Sequence, residues 1–326
     1  MSKFTFDTSL LSKYRTQLMG IAILWIILRH SDFDDTLVPF IVRLARRSGY
    51  GGVDIFFFLS GLGIYFAYQK ETIKSFFKKR FIRIIPYYIP IVILFTLLFQ
   101  YPNGLITLEG VFLRIFILDY WVEADSLGWY IPVALLFYLL TPVIMYILKG
   151  NMTRNWVILL LLVFAIALIF DYFGYWYIMN TIMIRLASYI LGIYIGYMIA
   201  NKTKVNIVWI LLSLVLGVVT YGLQYMYGYD NQFIAIHFAV LPFFFLALPI
   251  CAILSYLFSL AGKYKFPVLY FFGTYTLCLY IFHERIKLIM QYYDIPYVIL
   301  LSFLIAIVLA YLWQNLVTTI LKKLGF

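Results

Sequence analysis

Charge is the scarcest property of this chain of 326 residues. Charged residues make up 12% of it and apolar residues 65%, and the mean hydropathy is +0.96. Soluble domains are typically about a quarter charged and about half apolar. This composition excludes an ordinary soluble enzyme and predicts a polytopic, all-α membrane protein. We expect a single integral-membrane domain over residues 1–326, with no sizeable soluble part.

Cysteine and histidine are also rare. Cys251 and Cys278 lie inside apolar runs, so the sequence predicts no disulfide framework. The three histidines are His30, His237 and His283, and their wide separation lacks the spacing of a metal-ligand set. We therefore expect no bound metal.

Acidic residues are few, which leaves a net charge of +11. The basic residues lie mostly in short loops between apolar spans, as membrane topology and contact with membrane lipids require, so nucleic acid is not expected as a partner. Most of them fall in alternate loops that share the side of both chain ends, which predicts cytoplasmic termini. The polar lead before the first span predicts a signal anchor rather than a cleavable signal peptide.

Apolar runs of membrane-spanning length predict about ten transmembrane helices. They lie near residues 16–34, 52–69, 84–101, 127–148, 156–173, 179–200, 205–226, 234–258, 267–290 and 295–319. Residues 105–120 form a shorter segment that we expect to be interfacial or re-entrant. Gly192 and Gly196 form a Gly-x-x-x-Gly pattern that favours close helix packing.

Ionisable side chains within the spans mark the candidate site, because a bilayer penalises them unless they face a protein-lined cavity. His30 ends the first span, Asp54 begins the second, and His283 and Glu284 lie near the outer end of the ninth. Histidine is the side chain best suited to accept and return a proton near neutral pH. The alternative interpretations are a packing histidine at position 30 and a helix-start residue at position 54.

Cations predict an anion site on the cytoplasmic side. Arg15 shares a helix face with Met19 and His30, and Lys79 and Arg83 are four residues apart with Arg80 beside them. Such a pair can hold phosphate groups, the arginine bidentately and the lysine as a point charge. Two alternatives remain open: Arg15 extends to the interface only, and the basic run contacts anionic lipid.

Six segments together resemble the integral-membrane acyltransferase-3 family of sugar and glycan O-acyltransferases. They are GIAILWIILRH at 20–30, GGVDIFFFLSG at 51–61, KKRFIRIIP at 78–86, LGWYIPVALLFYLLTP at 127–142, RLASYILGIYIG at 185–196 and YTLCLYIFHE at 275–284. The resemblance implies an acyl-CoA donor, usually acetyl-CoA, as a cytoplasmic co-substrate with no bound cofactor. It also implies a hydroxyl acceptor on a glycan or a lipid-linked sugar.

Carried over by position, the resemblance makes His30 the catalytic histidine and places Lys79 with Arg83 at the basic pair of a cytoplasmic loop. Two positions depart from the family pattern. Met19 stands where the family commonly has an arginine, and Lys79 stands where the first residue of the basic pair is usually arginine. Arg15, one turn before Met19, is the nearest substitute cation on that face.

These observations together predict a membrane O-acetyltransferase of the bacterial plasma membrane that modifies an exported or cell-surface glycan. We expect Arg15, Lys79, Arg80 and Arg83 to hold the donor and His30 to accept the acyl group or act as general base, with Asp54 or Asp32 orienting the imidazole. Possible acceptor-side residues are Trp129, Arg185, His283 and Glu284. The alternatives are a transporter or flippase for a lipid-linked sugar, and a non-catalytic member that lost activity through Met19.

Overall fold

The fold follows from a computed structural model, which describes residues 4–31, 36, 38–123, 127–172, 176–228, 240–262 and 266–326. The described chain is almost entirely helical, as predicted. Fifteen α-helices are described: α1 Ser9–Lys13, α2 Arg15–Arg29, α3 Phe40–Arg47, α4 Gly51–Lys70, α5 Ile73–Phe95, α6 Leu108–Ile115, α7 Asp119–Glu123, α8 Tyr130–Ile147, α9 Met152–Tyr172, α10 Trp176–Ala200, α11 Ile207–Tyr227, α12 Leu241–Leu260, α13 Pro267–Thr274, α14 Thr276–Tyr292 and α15 Val298–Lys323. A π-helical turn, Thr96–Gln100, extends α5.

Among the described residues, eight helices are long and apolar enough to cross a membrane: α4, α5 with its π-helical turn, α8, α9, α10, α11, α12 and α15. Each corresponds to one of the ten predicted spans. The other two predicted spans are helical but shorter. The first predicted span corresponds to α2, which ends at Arg29, and the ninth span is divided at Tyr275 into α13 and α14.

The third span begins earlier than predicted. Thr72 caps α5 by accepting a hydrogen bond from the backbone N–H of Ser75 at 3.3 Å, and the helix then runs from Ile73 through Pro86 and Pro90. The basic run at 78–86 is therefore helical and not a loop, because this cap starts the helix before the cations. The expected interfacial segment at 105–120 contains the short helix α6 and the start of α7.

Glycines allow two pairs of helices to meet backbone against backbone. A Cβ atom on Gly192 of α10 would collide with the carbonyl oxygen of Phe58 in α4. Between α2 and α13, a Cβ on Gly20 would collide with the Leu269 carbonyl, and one on Gly273 with the Thr16 carbonyl. The close packing predicted for the Gly-x-x-x-Gly pattern is confirmed, and α13 fixes the first helix in the same way.

Several of the predicted cytoplasmic segments lie at one end of the helix bundle. Strand β1, Thr5–Phe6, pairs antiparallel with β2, Val205–Asn206, which joins α10 to α11. The Lys78 ammonium of α5 lies 4.6 Å from the ring centre of Phe326. These contacts support placing the two chain ends and the basic part of α5 on one side of the membrane, while the cytoplasmic identity of that side stays a prediction.

Candidate active site

His30 forms the centre of the site, directly after the last residue of α2. Its Nδ1 atom lies 2.7 Å from Oε1 of Glu284 in α14. A carboxylate can only accept a hydrogen bond, so Nδ1 of His30 is the donor, and Nε2 is left as the basic nitrogen of the neutral ring. The His30 side chain remains 39% exposed, so a substrate can reach that nitrogen.

A second imidazole lies against the first. The ring centres of His30 and His283 are 5.3 Å apart in an edge-to-face arrangement. Nδ1 of His283 lies 3.0 Å from the carbonyl oxygens of Leu279 and Tyr280 and donates to them, because carbonyls only accept. Within the described part of the chain, Nε2 of His283 is buried and has no hydrogen-bond partner.

Lys287 ties α14 to the end of α2 a second time. Its Nζ atom donates a hydrogen bond to the backbone carbonyl of His30 at 2.6 Å. Lys287 is one helical turn after His283 and so shares its face of α14. Three side chains of α14, those of His283, Glu284 and Lys287, therefore surround His30.

The types of side chain in this cluster would suit a metal ion, since His30, His283 and Glu284 each offer a ligand atom within 4.8 Å of the others. Two ligand atoms of one tetrahedral zinc ion are roughly 3.3 Å apart at metal–ligand bonds of about 2 Å. The 2.7 Å contact between His30 and Glu284 is that of a hydrogen bond instead. We treat the pair as a hydrogen-bonded dyad, and the expected absence of a metal stays a prediction.

Asp54 belongs to a different cluster. It is fully buried in α4, where it accepts a hydrogen bond from Ser188 at 3.4 Å and lies 4.0 Å from Nε of Arg185. The Arg185 guanidinium in turn lies 4.4 Å from the ring centre of Trp129. The carboxylate that orients His30 is thus Glu284 and not Asp54, because Asp54 is engaged with α10. Asp32, the other expected candidate, falls outside the described residues, as does His237.

The predicted acceptor-side residues consequently divide into two groups. His283 and Glu284 contact His30, whereas Trp129 and Arg185 contact each other and Asp54. The sequence indicated that all four lie toward the outer side of the membrane, but it did not indicate which of them meet.

A cavity of about 870 Å³, here called the cationic cavity, opens beside α2, α5 and α14. Five basic side chains line it, those of Arg15, Lys78, Lys79, Arg83 and Lys322. Its described lining contains no aspartate or glutamate and adds hydroxyl groups from Ser60, Tyr130 and Tyr138. Such a surface has the chemistry to bind a phosphorylated ligand.

Arg15 lies at this cavity together with Met19. Its Nε donates to the carbonyl of Leu59 at 2.9 Å, and its guanidinium packs over Gly63, where a Cβ would be 2.9 Å from the Arg15 Cζ. Arg15 thus brings a cation to the cavity beside the position where the family pattern has one. The alternative expectation is that Arg15 only extends to the membrane interface. Its contacts with Leu59 and Gly63 do not agree with that alternative.

The basic residues of α5 do not all share one environment. Arg83 and Lys79 line the cationic cavity, although Lys79 also contacts Glu71 at 3.0 Å. The Arg80 guanidinium lies 5.5 Å from the ring centre of Phe76 and is not part of the cavity lining. The charge of Arg80 therefore lies near the cationic cavity but outside its lining.

A second cavity, here called the apolar cavity, measures about 770 Å³ and lies between α2, α14 and α15. It is lined by Leu24, Ile27, Leu28, His30, Ser31, His283, Lys287, Gln291, Tyr297, Val298, Ile299, Leu300, Ser302 and Phe303. Sequence reasoning did not find this cavity, because it exists only where three sequence-distant helices diverge.

The two cavities approach each other at two rings of α14. Tyr280 lines the cationic cavity and His283 lines the apolar cavity, and their ring centres are 5.8 Å apart. On α2, Met19 lines the first and Leu24 the second, a separation of about 7.5 Å along a helix axis. His30 itself lines only the apolar cavity, and the cationic cavity reaches the site at Tyr280, next to His283.

Comparison with known proteins identifies a family. The model of a family described as an acyltransferase domain, acyltransferase-3, matches residues 17–316. The matched span includes His30, His283, Glu284 and Arg83, and it excludes Arg15. No curated protein and no solved structure matches the chain.

Proposed function

Because the chain belongs to the acyltransferase-3 family, we propose that this multi-pass membrane acyltransferase is an O-acetyltransferase of the bacterial plasma membrane. In this proposal it moves an acetyl group from cytoplasmic acetyl-CoA to a hydroxyl of an exported or cell-surface glycan. The observation that carries the proposal is the His30–Glu284 dyad, placed where a cationic and an apolar cavity approach each other.

The cationic cavity supports the choice of donor. Coenzyme A carries several phosphate charges, and the cavity offers five cations without a carboxylate in its described lining. Arg15 and Arg83 provide planar donors for phosphate oxygens and Lys79 a point charge. The hydroxyls of Ser60 and Tyr130, which also line the cavity, suit the amide groups of the pantetheine arm.

The dyad supplies the chemistry of the transfer. Nε2 of His30 takes the proton of the acceptor hydroxyl, while Glu284 stabilises the resulting imidazolium. The hydroxyl oxygen forms a bond to the thioester carbonyl carbon, and the carbon–sulfur bond breaks. The leaving thiolate receives the proton from His30, so the products are an O-acetyl ester and free coenzyme A. The alternative is transient acylation of His30. In that route Nε2 attacks the thioester carbon and coenzyme A leaves as the thiolate; the acceptor hydroxyl then takes the acetyl group from the imidazole, and its proton passes to the thiolate.

The test is the transfer of radiolabelled acetyl from acetyl-CoA into the glycan fraction of membranes that contain the chain. We expect His30→Ala to abolish incorporation at equal protein level. Glu109→Gln, which alters an exposed carboxylate of α6, is the control and should retain it. Incorporation that survives His30→Ala would remove His30 from the mechanism, and a chain that binds no acetyl-CoA in equilibrium titration would overturn the choice of donor.

A further inference from the structure

The walls of the apolar cavity are unsuited to a bare sugar chain. Its apolar side chains come from α2 and α15, and they include Leu24, Ile27, Ile299 and Phe303. Two of its hydroxyls are used by nearby backbone carbonyls: Ser31 donates to the Leu28 carbonyl at 2.6 Å, and Ser302 to the Ile299 carbonyl at 3.2 Å. Such a lining suits hydrocarbon.

Helix α15 makes the cavity accessible from the lipid. Leu300 is 60% exposed and Tyr297 is 79% exposed, and both line the cavity. Farther along α15, Leu304 and Val308 are also exposed, so one flank of this helix faces the bilayer. A hydrocarbon chain can therefore pass from the membrane into the cavity without leaving an apolar environment.

The inner end of the cavity is polar and incomplete. His283 is 5% exposed, and its Nε2 atom has no hydrogen-bond partner among the described residues. Because Nδ1 of that ring carries the proton, Nε2 is an acceptor that requires a donor such as a hydroxyl group. Lys287, held against the His30 carbonyl, places a positive charge at the same end.

From this arrangement we infer that the apolar cavity is the acceptor site and that the acceptor is an amphiphile. Its hydrocarbon chain lies along α15 and a phosphate near its head contacts Lys287. A neighbouring hydroxyl of the head group donates to Nε2 of His283, and the reactive hydroxyl lies at Nε2 of His30. The inference rests on the proposed acetyl transfer and narrows its substrate class: the glycan is modified while it is still linked to a lipid carrier.

The test uses the full chain, purified in lipid nanodiscs, and a farnesyl phosphate that bears a diazirine on its hydrocarbon chain. We expect photolabelling within residues 298–303. Ile299→Trp, which fills the cavity, should reduce labelling at least tenfold. Leu304→Trp adds the same side chain to an exposed position of the same helix and should leave labelling unchanged.

Unlabelled competitors identify which part of the lipid is recognised. Farnesyl phosphate should compete better than farnesol, and Lys287→Ala should remove that difference, whereas inorganic phosphate alone should compete weakly. Equal labelling of the two tryptophan variants overturns the inference. So does a result in which Ile299→Trp weakens binding of octanoyl-CoA alone, because the cavity would then hold the acyl chain of the donor.

Acetyl-CoA binding, measured on the same samples, separates this inference from the proposed function. A chain that binds acetyl-CoA but shows no site-specific photolabelling overturns only the amphiphilic acceptor. A chain that is photolabelled but binds no acetyl-CoA loses the acceptor assignment together with the proposed transfer. Binding of both, with labelling sensitive to Ile299→Trp alone, supports both.

Discussion

Nδ1 of His30 and Oε1 of Glu284 lie 2.7 Å apart, although the two residues come from opposite ends of the chain. The contact determines which nitrogen of His30 is basic and therefore which atom can activate a hydroxyl. Lys287 reinforces it by donating to the His30 carbonyl, so α14 holds both the side chain and the backbone of His30.

Removing the charge of Glu284 should disable this dyad. With Glu284→Gln, the amide can still contact Nδ1, but it no longer fixes the tautomer or stabilises the imidazolium. General acid–base catalysis typically contributes a rate factor of about 10²–10⁴, and we expect kcat to decrease by a factor within that range. The measurement is acetyl transfer in membranes at matched protein level, with Glu109→Gln as the control. Parental activity in Glu284→Gln would show that the contact has no catalytic role.

Arg83→Ala should weaken donor binding without altering the chemistry. Arg83 is exposed to solvent, so screening leaves the lower end of the range for charged hydrogen bonds, about 1.4 kcal/mol. The KM for acetyl-CoA should then rise about tenfold at unchanged kcat. Lys149→Ala, an exposed cation away from the cavity lining, should leave KM unaltered. A fall in kcat with constant KM would instead show that Arg83 stabilises the transition state.

Met19→Arg tests whether the departure from the family pattern limits activity. Met19 lines the cationic cavity beside Arg15, so the variant adds a sixth cation to the lining. We expect tighter acetyl-CoA binding and parental or higher turnover. If acetyl transfer appears only in Met19→Arg, the parent chain is a non-catalytic member of its family.

Asp54 should prove structural rather than catalytic. Asp54→Ala leaves Arg185 buried without its carboxylate, a change that typically costs about 3–5 kcal/mol. We expect a lower melting temperature in detergent, partly restored in the double variant Asp54→Asn with Arg185→Gln, and activity that follows the remaining folded fraction. Loss of activity at the parental melting temperature would show that Asp54 takes part in catalysis.

The glycine contacts between α2 and α13 should resist even a single methyl group. Gly273→Ala places a Cβ against the Thr16 carbonyl, and overpacking of this kind typically costs about 1–3 kcal/mol. Gly222→Ala makes the same change in open space on α11, where it should be neutral or stabilising by about 0.5–1 kcal/mol. Thermal unfolding in detergent compares the two, and equal melting temperatures would contradict the close approach.

Much of this architecture was predictable from the sequence, and the reasons for success and failure are physical. Long apolar runs identify spans such as α10 and α12, because a bilayer penalises interruptions. Asp54 and Glu284 were equally visible as membrane carboxylates, yet only the packing of α14 against α2 determines which one reaches His30. The helix cap at Thr72 and the break at Tyr275 depend on single residues, so boundaries there were less certain than the spans themselves.

The two rings of Tyr280 and His283 also bear on the electrical insulation of the membrane. A water-filled cationic cavity carries the electrical potential of its own side of the membrane inward as far as Tyr280, so the transmembrane voltage falls across the protein layer that begins at these rings. Moving one elementary charge through such a layer involves about 2.3 kcal/mol per 100 mV. That energy scales with every phosphate charge of a polyanionic donor such as coenzyme A, whereas exchanging the acetyl group on sulfur for a proton moves no net charge across the rings. In the proposed reaction, therefore, coenzyme A stays on its own side of the rings, the acetyl group passes to the acceptor, and a proton passes back to the thiolate. The transfer as a whole then carries no net charge through the membrane potential.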